Sequence, residues 1–179
     1  MSVSVSPREF QYVHFDADLI GRVAATLVDA LGLEVPVEIE VDETTPLARI
    51  DVELGATVRI RAQSGAFEDT RHPRHQSEQA TAASLGRVLL RARDRLTGGF
   101  GEAPADDELT LAQVSAWNAY CAGRLQRLGV QINPQRFRYD FRNRHGFSDA
   151  GDRAFDRLWD ADALTWAELD RISNTAATS

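Results

Sequence analysis

A chain of 179 residues buries roughly 70% of the surface it exposes when unfolded, enough for one proper hydrophobic core. Hydrophobic residues make up 43% and charged residues 26%, which excludes a disordered or collagen-like chain, and no run approaches the ~20 apolar residues of a spanning helix. The net charge of −7 comes from 27 acids against 20 basic residues, all arginine; it disfavours a nucleic-acid coat and supports solubility rather than a particular chemistry.

Residues 9–15 alternate loosely and predict a short strand. Met1 to Phe15 lacks the basic start and apolar core of a signal peptide, so a cytoplasmic protein is expected. Asp16 then caps a helix whose stripe is Leu19, Ile20, Val23, Leu27, Val28 and Leu31, and Gly32 is placed to stop it. Three alternating runs follow, at Val35–Val41, Ala48–Leu54 and Val58–Ala62. Thr44-Thr45-Pro46 and Gly55-Ala56 punctuate them. Period-two alternation puts one face dry and one wet, which predicts an antiparallel meander with helices on one face.

Gln63 to Gln76 reads as a loop. A long helix is predicted from Ser77 to Leu96, ended by Gly98-Gly99. The acids Asp106-Asp107-Glu108 lack the spacing of a calcium loop and suit the approach to the next helix. Thr110-Leu111-Ala112-Gln113 is a capping box, and the helix behind it carries Val114, Trp117, Cys121, Leu125 and Leu128 on one face. Cys121 is the single cysteine, so no internal disulfide can form, and its apolar neighbours make it a buried small side chain. The three tryptophans, Trp117, Trp159 and Trp166, read as core anchors.

Residues 134–147 fit two readings. Phe137, Tyr139 and Phe141 alternate with Arg136, Arg138, Asp140 and Arg142, which favours a strand. Asn133-Pro134 also matches a helix start, with Gly146 as its end. Ser148 caps a further helix with Phe155, Leu158 and Trp159. Thr165-Trp166-Ala167-Glu168 is a second capping box, opening a final helix with Leu169 and Ile172. The small polar residues 173–179 are expected to fray. These elements predict an α+β fold: a small antiparallel sheet of three or four strands packed with about five helices, and a helical C-terminal half. Residues 1–172 are expected to form a single globular domain.

Phosphate loops, dinucleotide fingerprints, nucleophile elbows and paired-cysteine motifs are all missing. Two leads remain. The first is His72-Pro73-Arg74-His75 with Glu78. Two imidazoles and a carboxylate can supply the three protein ligands of a catalytic divalent metal, with His14 or His145 completing the shell. Pro73 makes this a loop rather than a helix face, and Arg71 and Arg74 oppose a cation. The bland reading is solvated loop histidines and a first-turn glutamate.

The order of helix, strands and long helix is similar to that of minimal zincin-type metallopeptidases, which carry His-Glu-x-x-His on the long helix. Ala80 to Leu96 contains no histidine, so the resemblance implies a degenerate fold without the zinc site.

The second lead is the run from Arg136 to Phe147. Residues 134–147 carry four Arg against one acid, a basic island on an acidic chain. Arginine interleaved with aromatics suits gripping a carboxylate, a phosphate or a flat ring. The bland reading puts the aromatics in the core and pairs the arginines with Asp149, Asp152 and Asp156. The expected function is therefore a non-enzymatic interaction or regulatory protein. Arg136, Arg138, Arg142, Arg144 and His145 contact a protein or a small anionic partner. The alternative is a metal-dependent hydrolase on His72, His75 and Glu78. No other cofactor, nucleic acid or membrane is expected, and the sequence leaves the oligomeric state open.

Overall fold

The computed structural model describes residues 2–177. The chain divides into two compact units, one up to Ala92 and one from Arg93 onward. The boundary falls inside a long helix.

The first unit begins with β1 (Val3–Ser6), α1 (Ala17–Leu31), β2 (Val37–Asp42), β3 (Ile50–Glu53) and β4 (Val58–Gln63). A 3-10 turn (Ser64–Ala66), the short strands β5 (Glu68–Asp69) and β6 (His72–Gln76), and the start of α2 (Glu78–Thr97) follow. The α1 helix starts where Asp16 Oδ1 accepts the Asp18 N–H at 2.8 Å, satisfying one of the orphan donors of the first turn. It stops at Gly32, whose left-handed φ of 63° lets its N–H reach back to the Asp29 carbonyl.

Strand order is β1-β2-β4-β3. The α+β class, the four strands and the helical second half agree with the sequence reading. The strand pairing does not. β1 and β4 both run parallel to β2, and only β3 is antiparallel, on β4. The reason is the connections: α1 carries the chain back across the sheet between β1 and β2, which delivers a parallel neighbour, and β3 runs at the outer edge, so β4 returns beside β2 in the same direction. The expected strand at 9–15 is irregular chain with one isolated bridge, at His14, and the true first strand lies earlier, at Val3–Ser6. The expected loop 63–76 folds as a 3-10 turn and the β5–β6 hairpin.

Alternation does what period two requires. Val37, Ile39 and Val41 face Val58, Ile60 and Ala62 in register on the buried side. On the wet side each arginine of β4 stands between two acids. Arg59 lies between Glu38 and Glu53, and Arg61 between Glu40 and Asp51. Opposite charges directly across a ladder stabilise it, so this face is solvated and self-paired.

The second unit holds the end of α2, then α3 (Leu111–Arg127), α4 (Pro134–His145), α5 (Asp149–Asp160) and α6 (Trp166–Ala177). Both capping boxes close as expected. Thr110 and Gln113 satisfy each other's backbone donors at 3.1 and 2.9 Å, and Thr165 and Glu168 do so at 3.3 and 2.8 Å. Trp117, Tyr120, Phe100, Phe141 and Phe155 form the buried core. A Cβ on Gly123 would lie 2.0 Å from the Trp159 carbonyl oxygen, so only glycine lets α3 approach α5 this closely.

Residues 134–147 are helical, which corrects the strand. Asn133 Oδ1 caps the Gln135 N–H at 3.1 Å, and Pro134 supplies a helical φ at a position that needs no donor. The segment 173–177, expected to fray, continues α6 to Ala177, with Ser173 and Ala176 buried; residues 178 and 179 lie outside the described residues. No described helix is long and apolar enough to cross a membrane.

Candidate functional site

Helical winding decides which residues of the basic island face outward. Phe137, Phe141 and His145 recur every four residues and form the inward stripe. Phe141 is buried with its ring centroid 5.8 Å from that of Phe155, and Phe137 is half-buried beside Trp159 at 6.1 Å. In a strand Tyr139 would have shared that face. On the helix it points to solvent.

His145, expected at the contact face, is buried. Its ring stacks on Phe141 at 3.8 Å. Nδ1 lies 3.1 Å from the Phe141 carbonyl oxygen, which can only accept, so Nδ1 carries the proton. Nε2 then accepts from the Ser173 hydroxyl at 2.8 Å. Burial pushes the imidazole below its ordinary range, against the opposing pull of the Phe141 carbonyl and the Asp140 charge. Ser173 is buried as well, and this Ser–His contact holds α4 to α6.

Arg138 and Arg142 are also turned toward the protein. Arg142 grips both Asp152 oxygens, Nε at 2.8 Å and Nη2 at 2.7 Å. That forked contact raises the Arg142 pKa and holds the Asp152 carboxyl below the usual carboxylate range. Arg138 hydrogen-bonds Asp156 and lies 4.4 Å over the Phe155 ring. These two arginines tie α4 to α5.

Arg136 and Arg144 are exposed and form no ion pair among the described residues. The same segment carries two large aromatic rings in contact with each other, Tyr139 and Phe147, 62% and 67% exposed with centroids 6.1 Å apart. Arg142 flanks Phe147 at 6.0 Å. The sequence hides this exposed pair because strand alternation places Tyr139 on the same face as Phe137 and Phe141.

The histidine lead lies in the first unit. His72 and His75 sit exposed on β6, with ring centroids 6.5 Å apart. His72 Nδ1 pairs with Asp69 Oδ2 at 2.9 Å, and that contact, with the Arg71 N–H, holds the Asp69 carboxyl low. His75 stacks on His14 at 4.7 Å. Glu78 lies exposed in the first turn of α2. Among the described residues no group of three or more His, Cys, Asp or Glu side chains is arranged to hold a metal ion.

A further polar cluster has no counterpart in the sequence reading. Arg124 and Asp94 form a buried forked pair, and Trp117 Nε1 donates to the same carboxylate at 2.9 Å. Burial works against the Arg124 charge, but the Asp94 hydrogen bonds outweigh it and raise the pKa. Arg124 also covers the Tyr120 ring at 3.6 Å. The Tyr120 hydroxyl donates to the Asp162 carbonyl and accepts the Leu164 N–H. Its neighbours satisfy this network from all sides, so it organises the core.

Comparison of the chain with protein-family models, with curated proteins and with solved structures found no match to any of them.

Proposed function

We propose that the protein is a non-enzymatic binding protein whose contact face is the outer side of α4. Tyr139 and Phe147 supply flat apolar area. Arg136 and Arg144 supply forked donors at its flanks. The matching partner is an acidic segment of another protein that carries an apolar side chain. The observation that supports this reading is the pair of touching, mostly exposed aromatic rings on the basic island of an acidic chain. Exposed aromatic and arginine side chains are the types that dominate binding energy at protein interfaces.

The test is an amide-resolved NMR titration with a twelve-residue polyglutamate peptide bearing one central Phe, and with its polylysine counterpart. The acidic peptide should shift Tyr139, Arg144 and Phe147. Its Kd should weaken at least about fivefold, roughly 1 kcal/mol, in a Tyr139→Ser, Phe147→Ser double variant and should rise with salt. Equal binding of the lysine peptide, or shifts confined to other elements, would overturn the reading. So would concentration-dependent self-association that disappears in the double variant, which would assign the rings to a self-contact.

A further inference from the structure

The first unit contains a cleft of about 490 Å³ that the α4 reading does not use. Its position follows from the topology. The strands β1, β2 and β4 are parallel, so their carboxyl ends lie on one edge, at Ser6, Asp42 and Gln63. The connections leaving those ends line the cleft: Tyr12 after β1, Glu43 after β2, Ser64 and Glu68 after β4. Pro73 and Arg74 of β6 close it. The crevice outside the carboxyl ends of parallel strands is where such sheets bind ligands, because several loops converge there on a rigid base.

The walls are held in place. Glu43 Oε2 accepts the backbone N–H groups of Gln11 and Tyr12 at 2.7 and 2.6 Å. Glu68 Oε1 accepts the Arg74 N–H at 2.6 Å, and the Arg74 carbonyl accepts the His14 N–H at 2.8 Å. Each carboxylate therefore spends one oxygen on the backbone and keeps the other open among the described residues. The second oxygens of Glu43 and Glu68 have no donor partner among the described residues. Two carboxylates and one guanidinium leave the lining with a net charge of −1, which a monocation matches.

We propose that this cleft binds a small organic monocation, a primary amine carried on an apolar body. The ammonium donates to the open oxygens of Glu43 and Glu68. The apolar body lies on Tyr12 and Pro73.

The experiment is a set of amide-resolved titrations of the full chain with benzylamine, benzoate and benzyl alcohol, three probes of one shape and different charge. Benzylamine should shift Tyr12, Thr44 and Ser64 saturably, with a Kd of about 1 mM, the range open to so small a probe. Benzoate and benzyl alcohol should leave those amides in place. Glu68→Gln should raise the Kd about tenfold while the remaining spectrum is unchanged. Glu43→Gln should do the same, with its melting temperature as a check on the Gln11–Tyr12 contact. Equal shifts from benzoate or benzyl alcohol would overturn the proposal. So would the lack of a saturable benzylamine shift, or a Kd unchanged in both variants.

Discussion

Arg124 and Asp94 meet as a forked pair inside the helical unit, Nη1 to Oδ1 at 2.8 Å and Nη2 to Oδ2 at 2.7 Å, with side chains only 8% and 5% exposed. Removing one partner leaves an uncompensated buried charge, which costs about 3–5 kcal/mol. Arg124→Leu and Asp94→Leu should each lose that much in urea denaturation. The double variant should lose less than the sum, because it strands no charge. Additive losses would mean that the two side chains do not act as a pair.

Gly123 is a packing requirement. Its added Cβ would meet backbone, the Trp159 oxygen at 2.0 Å, and not a movable side chain. Gly123→Ala should therefore cost about 3 kcal/mol, the upper end for overpacking. Gly101, with nothing within 4 Å of its virtual Cβ, is the control: Gly101→Ala should leave the denaturation midpoint nearly unchanged.

The four arginines of α4 should separate into two classes. Arg138→Ala and Arg142→Ala each remove a tie to α5 and should lower the melting temperature. Arg136→Ala and Arg144→Ala should leave it unchanged and weaken capture of the acidic peptide. Thermal melts of all four beside the peptide titration test this division. A uniform response would contradict it.

His145 should make stability depend on pH. Its pKa is lower folded than unfolded, so the unfolded chain takes up the proton first. The contribution is fully present above the unfolded value of about 6.5 and is lost as pH falls below it. The denaturation midpoint should drop between about pH 7 and pH 5, and His145→Gln should flatten that slope. The carboxyls of Asp42, Asp69, Asp152 and Glu168 are held low by hydrogen bonds, so their contributions disappear at more acidic pH. A slope that persists in His145→Gln would assign the titration elsewhere.

Arg74 is the one non-glycine residue in left-handed backbone among those described, at φ 65°. That conformation costs an L residue about 1–2 kcal/mol, and glycine loses part of the gain through extra freedom when unfolded. Arg74→Gly should match or slightly exceed the wild-type melting temperature, and Arg74→Val should fall below it.

The helix caps were readable because they are local. Asp16, Thr110, Ser148 and Thr165 bond to backbone two or three residues away, and that spacing is written in the chain. Alternation in β2 and β4 was readable for the same reason. The fold of 134–147 was not, because its aromatics satisfy two periods at once: 137, 139 and 141 for a strand, 137 and 141 for a helix. Packing against Phe155 and Trp159 accompanies the helical outcome. The end of α6 was misread because Ser173 and Ala176 look like tail residues. Burial, and the contact of Ser173 with His145 Nε2, show them to be interior.

The sequence by itself determined the α+β class, the helix caps at Asp16, Thr110, Ser148 and Thr165 and the buried faces of β2 and β4, since these depend on neighbours within a few residues. Only the tertiary structure decided the parallel strand order, the Arg124–Asp94 pair and the carboxyl-edge cleft. It also decided which arginines of α4 are committed to α5. Each of these joins residues ten or more positions apart in the chain. A contact at that distance depends on loop closure and packing, and no local period encodes it.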